Sequence, residues 1–221
     1  IPRKNGKSLL AAAIGLYMWL VDGEYAAEVF CGATSERQAN EVFGPAHKMI
    51  LATPDIARIW PVKIYKKSMV RMEDQAVFAP LVRNPGDGSS PHCAIIDEFH
   101  EHGDSSLYDS MQTGMGARRQ PLALVITTAG KSIESPCYAM RGEAIDTLDQ
   151  RITDEHLFTV IFTIDKDVDW TSDEAILMAN PNAGVSVSLQ YLRKQIDQAQ
   201  RSTVKRGELL TKHLNVWSNA S

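Results

Sequence analysis

His92-Cys93-Ala94-Ile95-Ile96-Asp97-Glu98 is a short apolar run closed by two carboxylates. A run without polar alternation reads as a strand buried on both faces, and such strands belong to parallel sheets covered by helices. Outward from it, strand and helix patterns alternate. Residues 28–34 (EVFCGAT) read as a strand, and Ser35 is placed to cap a helix running to about residue 52. Residues 62–79 alternate in the β manner but are broken by charges, which predicts short strands or a hairpin. Residues 84–91 (NPGDGSSP) form a turn-rich loop. After the acidic pair come a helix over 104–117, a strand over 122–128, a helix over 136–149 and a strand over 157–164. The alternation predicts an α/β domain with a mostly parallel sheet and helices on both faces. Past Asp165 the pattern changes to two helices, 172–179 and 188–201, flanking the turn Asn180-Pro181-Asn182-Ala183-Gly184. The expected division is a core over 1–165 and a helical subdomain or linker over 166–221.

The 221 residues carry 44% hydrophobic and 23% charged side chains, the balance of a soluble globular chain. No run approaches the roughly 18 apolar residues that cross a bilayer. Cys31, Cys93 and Cys137 are an odd number, far apart, which favours reduced thiols over a disulfide framework. The net charge of −4 argues against a surface basic all over. Two local stretches are basic: Arg58, Lys63, Lys66, Lys67 and Arg71, then Arg193, Lys194, Arg201, Lys205, Arg206 and Lys212. Solvated faces are the plainer reading of both. The sequon at 219–221 is read as chance.

The chain opens Ile1-Pro2-Arg3-Lys4-Asn5-Gly6-Lys7-Ser8, followed at once by an Ala-rich helix. Gly6-Lys7-Ser8 is the tail of a phosphate-binding loop. Glycine lets the backbone curl round a phosphate, lysine reaches the β- and γ-phosphates, and the serine hydroxyl suits Mg²⁺. The helix behind it turns its positive end to the anion. The position of the pattern's first glycine is held by Ile1, a departure from the usual motif. The competing reading is a basic tail that happens to contain this tripeptide. A phosphate loop hangs from a β-strand, and no residues here precede the loop to make one; the chain is expected to be a fragment that binds nucleotide weakly by itself.

Asp97 and Glu98 fit the second signature of nucleotide hydrolases, in which an aspartate at a strand's carboxyl end holds Mg²⁺ and the next glutamate polarises the attacking water. Capping of a following helix is the alternative. The neighbouring His100, Glu101, His102 and Asp104 match no zinc spacing and read as surface polar residues. A second apolar strand ends in Thr127-Thr128-Ala129-Gly130, where Thr127 or Thr128 could sense loss of the γ-phosphate.

PRKNGKS (2–8), AIIDEFHEH (94–102) and VITTAG (125–130), in that order, closely resemble the ATPase domain of tailed-phage large terminases, in particular the HK97-like branch. ANPNAGVSVS (179–188) and ELLTKHLNVW (208–217) resemble the segments that close that domain, so the likeness spans nearly the whole chain. The resemblance implies a P-loop NTPase of the additional-strand (ASCE) type, and a Mg²⁺-dependent ATPase that drives double-stranded DNA into a procapsid. It assigns ATP contacts to Arg3, Lys4, Asn5, Gly6, Lys7 and Ser8, metal to Ser8 and Asp97, and catalysis to Glu98 with Arg3. Coupling to DNA movement falls to Thr127, Thr128, Ala129 and Gly130. The resemblance also implies a further arginine from a neighbouring subunit, for which Arg83, Arg118 and Arg119 are the candidates. Implied partners are DNA, contacted through its phosphates, the small terminase subunit, the portal protein and further copies in a ring, in the cytoplasm of a bacterial host. The nuclease domain of such proteins has no room after Asn215. The alternatives are a helicase-like ATPase and a non-catalytic assembly module of the same fold.

Overall fold

The computed structural model describes residues 1–82 and 88–218. In chain order the elements are α1 (Lys7–Leu20), β1 (Glu28–Ala33), α2 (Glu36–Ala52), the single turn α3 (Ile56–Ile59), β2 (Val62–Tyr65), β3 (Ser68–Arg71), β4 (Val77–Val82), β5 (Cys93–Asp97), α4 (Ser106–Gly114), β6 (Leu122–Ile126), α5 (Pro136–Leu148), α6 (Asp173–Ala179), α7 (Leu189–Gln200) and α8 (Thr203–His213). The chain forms two compact units. One is Ser8–Phe99 with Asp104–Ile126; the other is Ile1–Lys7, His100–Gly103 and Thr127–Ser221.

The first unit is a six-stranded sheet in the order β2-β3-β4-β1-β5-β6. β4, β1, β5 and β6 pair in parallel, and β2-β3 and β3-β4 pair antiparallel. The expected hairpin over 62–79 is therefore β2-β3, with β4 returning to the parallel part of the sheet. β5 is buried at every position, as its unbroken apolar run requires. Helices cover both faces. A Cβ on Gly15 of α1 would meet Phe78 at 2.8 Å and Ile95 at 2.9 Å, whereas one on Gly32 would meet Met111 of α4 at 2.9 Å and Ile96 at 3.2 Å. Ile95 and Ile96 are successive residues of one strand, so α1 and α4 pack on opposite faces. Phe43 of α2 sits edge-on to Phe78, centroids 5.8 Å apart, on the side of α1.

Serine punctuates the helices. Ser35, Ser135, Ser172, Ser188 and Ser202 each accept the backbone N–H three residues on, at 3.4, 3.3, 3.1, 3.3 and 3.4 Å. The second unit has its own apolar centre, built by Ile176, Val187, Leu192, Ile196, Leu209 and Leu214.

Two expectations need correction. Residues 157–164 do not join the sheet. They are held by the C-terminal segment instead: Asn215 Nδ2 donates to the Phe162 carbonyl at 2.8 Å, and the Thr163 side chain donates through Oγ1 to the Asn215 carbonyl at 3.1 Å. Apolar alternation alone does not supply a strand partner. Arg71 is likewise no part of a solvated basic face. It is buried and paired with Asp74 at 2.6 Å. The three cysteines are free and buried; burial pushes the Cys93 thiol up to about 12 and the Cys31 thiol well above its usual range.

Candidate active site

Lys4 and Gly6 both have left-handed backbones, with φ of +67° and +81°, while Asn5 between them does not. Alternation of hand along a short stretch turns successive N–H groups to one side, the concave nest that binds phosphate oxygens. Lys7 closes it: its Nζ donates to the carbonyls of Ile1 at 2.8 Å and Pro2 at 3.0 Å, spanning the loop. Ser8 follows as the second residue of α1. Arg3 is half-exposed, with Nη2 3.9 Å from Glu101 Oε1, and its backbone N–H donates to the Lys212 carbonyl at 3.0 Å.

Asp97 ends β5 and is 3% exposed; its Oδ1 accepts the Glu98 N–H at 2.8 Å. Glu98 lies at φ +48°, a left-handed conformation that a non-glycine residue keeps only where its surroundings hold it, and such residues gather at functional sites. In the parallel ladder Asp97 pairs with Ile126, so both strands end at the same level. That level is the carboxyl edge of the parallel strands, where α/β sheets place their ligands.

The residues after each strand end meet in the second unit. Thr127 Oγ1 accepts the His100 N–H at 3.1 Å, lies 3.0 Å from His100 Nδ1, and donates to the Thr128 carbonyl at 3.0 Å. The Ile1 nitrogen donates to the Thr127 carbonyl at 3.1 Å. Thr128 and Ala129 are buried, and the Ala129 N–H donates to Asn215 Oδ1 at 2.7 Å. A Cβ on Gly130 would lie 2.8 Å from the Trp217 ring. His100 and His102 are thus not surface residues as the sequence suggested: His100 braces Thr127, and His102 is 6% exposed.

Arg118 donates to the carbonyls of Ser90, Tyr25 and Ala26 at 2.8, 3.0 and 3.1 Å, and to Glu24 Oε1 at 3.3 Å. Its donors are all engaged within the chain, whereas Arg119 is exposed. Arg83 lies outside the described residues. Among the described residues no three His, Cys, Asp or Glu side chains gather as a metal cluster. No helix among them is long and apolar enough to cross a membrane.

The family model of the terminase large subunit, ATPase domain, matches residues 1–145. The chain belongs to the terminase large-subunit ATPase-domain family. It is 45% identical over 155 residues to Protein YmfN of Escherichia coli, covering 70% of this chain and 34% of that protein. It is 28% identical over 207 residues to the large terminase subunit of Enterobacteria phage HK97, covering 91% of this chain and 40% of the relative. The crystal structure of the HK97 large terminase superposes with a TM-score of 0.85 at 26% identity, over 98% of this chain and 45% of that one. The ATPase domain of a Thermus phage large terminase shares the fold at a TM-score of 0.59 and 12% identity, over 97% of this chain and 86% of that one. The chain therefore spans less than half the length of the curated relatives it matches.

Several site residues had no sequence signal. Two partners of Asn5, Asn180 and Asn182, lie more than 170 positions away, and Asn215 and His100 reach their targets through tertiary folding alone.

Proposed function

We propose that this domain binds ATP in its phosphate loop and hydrolyses it to drive double-stranded DNA into a viral procapsid. The observation that carries the reading is the left-handed pair Lys4 and Gly6, which shapes a nest ahead of Lys7 inside the stretch matched by the terminase model. The loop N–H groups receive phosphate oxygens, and the Lys7 ammonium serves the β- and γ-phosphates. Arg3 offsets charge that develops in the transition state. Glu98 takes up the proton of the attacking water, and its backbone is fixed by the Asp97 carboxylate.

The donor set fits magnesium. The Ser8 hydroxyl and the Asp97 carboxylate are hard oxygen ligands, and Mg²⁺ takes few protein ligands, leaving its remaining positions to water and substrate phosphate. When bound, the ion would neutralise phosphate charge.

Thr127 to Gly130 would pass the nucleotide state to the DNA-moving parts, with His100 joining the segment after Glu98 to Thr127. Of the candidate arginines for a neighbouring subunit's site, Arg119 is favoured over Arg118, because the Arg118 donors are already spent on Ser90, Tyr25, Ala26 and Glu24. The small terminase subunit, the portal protein and a ring of further copies are the proposed partners, in the host cytoplasm. Functionally we divide the chain into a core, 1–165, and a closing helical segment, 166–221. The test is steady-state ATP hydrolysis by the intact protein and its Glu98→Gln variant. Loss of the base should slow turnover by about 10²–10⁴-fold; equal rates would remove Glu98 from the mechanism.

A further inference from the structure

In a nest the N–H groups converge on one side, so the intervening carbonyls face the other and need partners of their own. One turn supplies them. Ser186 Oγ donates to the Lys4 carbonyl at 2.5 Å, and Asn182 Nδ2 donates to the Asn5 carbonyl at 3.1 Å. The Asn5 side chain is held at both ends: its Oδ1 accepts the Asn182 N–H at 3.1 Å, and its Nδ2 donates to Asn180 Oδ1 at 2.8 Å. Asn180 in turn donates through Nδ2 to the carbonyls of His213 at 2.9 Å and Ile176 at 3.0 Å, which roots the assembly in α8 and α6. Asn5 and Asn180 are 7% and 1% exposed. A Cβ on Gly6 would stand 3.2 Å from Asn182 Nδ2, so the turn packs directly on the loop.

We propose that Asn180 and Asn182 are positioning residues for nucleotide phosphate, clasping the loop from behind so that its N–H groups stay converged. This rests on the ATP reading above and deepens it. The left-handed backbone of Lys4 is unfavourable for a residue with a side chain and persists only under outside constraint. Without the clasp the loop relaxes, the binding-competent shape becomes a minor population, and the apparent affinity falls by that fraction. Asn5 then serves as the handle of the clasp: its amide is spent on Asn180, on Asn182 and on the Arg3 carbonyl at 3.2 Å, and it offers phosphate only its backbone N–H.

The test is titration of the intact protein with MgATP, alongside steady-state kinetics and thermal unfolding. Asn182→Ala removes the Nδ2 bond and keeps the backbone N–H. It should raise the Kd and KM for MgATP by about tenfold, the scale of one net hydrogen bond, with kcat within about twofold. Asn5→Ala removes the side-chain bonds to Asn180 and to the Asn182 N–H but keeps the Asn182 Nδ2 bond to its carbonyl, so the Asn5→Ala/Asn182→Ala pair should bind more weakly than either single variant. A role confined to folding would instead lower the unfolding temperature and leave KM unchanged. If Asn180→Ala does not fold, Asn182→Ala alone decides. Wild-type affinity in Asn182→Ala, while Lys7→Ala binds no MgATP, overturns the clasp and leaves the ATP reading standing. A wild-type protein that takes up no MgATP overturns both.

Discussion

Replacing Asp74 by asparagine keeps the side-chain shape and removes its charge. Asp74 accepts from Arg71 Nε at 2.8 Å and Nη2 at 2.6 Å, and from the N–H groups of Ala26 at 2.6 Å and Ala76 at 3.2 Å. Arg71 also donates to the carbonyls of Trp19, Leu20 and Glu24, at 2.9, 3.3 and 2.9 Å, which fixes the C-terminus of α1, the helix that begins at Lys7. The two side chains are 10% and 6% exposed, so solvent screens them little. The Arg71 hydrogen bonds, helped by the two N–H groups and the guanidinium charge, lower the Asp74 carboxyl from 3.8 to about 2. That difference corresponds to ~2 kcal/mol of stability. Because the folded value is the lower one, this contribution is full above about pH 4 and is lost as pH falls towards 2. The variant also leaves the Arg71 charge without its counter-ion, so the total cost at neutral pH is about 3 kcal/mol, held at the low end for a broken buried pair by the three carbonyls. For a domain of this size that lowers the unfolding temperature by roughly 6–12 °C. Thermal unfolding followed by circular dichroism at pH 7 and near pH 2 measures both effects. A fall of under about 2 °C at pH 7, or a wild-type advantage that does not shrink in acid, would refute the reasoning.

Two further substitutions test other parts of the site. Asn215→Ala should destabilise by about 3 kcal/mol in urea unfolding, because it strands the buried Ala129 N–H and the Phe162 carbonyl together; a change within 0.5 kcal/mol would show that both groups find other partners. Gly6→Ala places a Cβ in a left-handed residue, 3.2 Å from Asn182 Nδ2, and should weaken MgATP binding by about tenfold or more, with an unchanged isotherm as the contrary result.

Where structure rests on local chemistry, the sequence was readable. Ser35 caps its helix as its position suggests, and the unbroken run 93–97 is the doubly covered strand it resembles. The Gly6-Lys7-Ser8 tripeptide announced a loop whose shape depends on left-handed Lys4, a residue with no preference for that conformation. What stayed hidden depends on distant partners. Residues 157–164 carry a strand-like pattern, but strand formation needs an edge to pair with, and the Phe162 carbonyl goes to the Asn215 side chain. Arg71 looked like one of several surface cations until Asp74 and the end of α1 closed around it. The asparagines at 180 and 182 read as turn formers, which they are; that the turn also grips Asn5 is a tertiary fact.

Calorimetric titration of the intact protein and its Lys7→Ala variant with MgATP bears most directly on the proposed ATP site. Each charge-assisted hydrogen bond to phosphate contributes about 1.5–3 kcal/mol. The wild-type protein should bind one MgATP per chain, and Lys7→Ala should bind at least about 100-fold more weakly. Equal affinity in the two proteins would mean that the loop at residues 1–8 is not where the nucleotide sits.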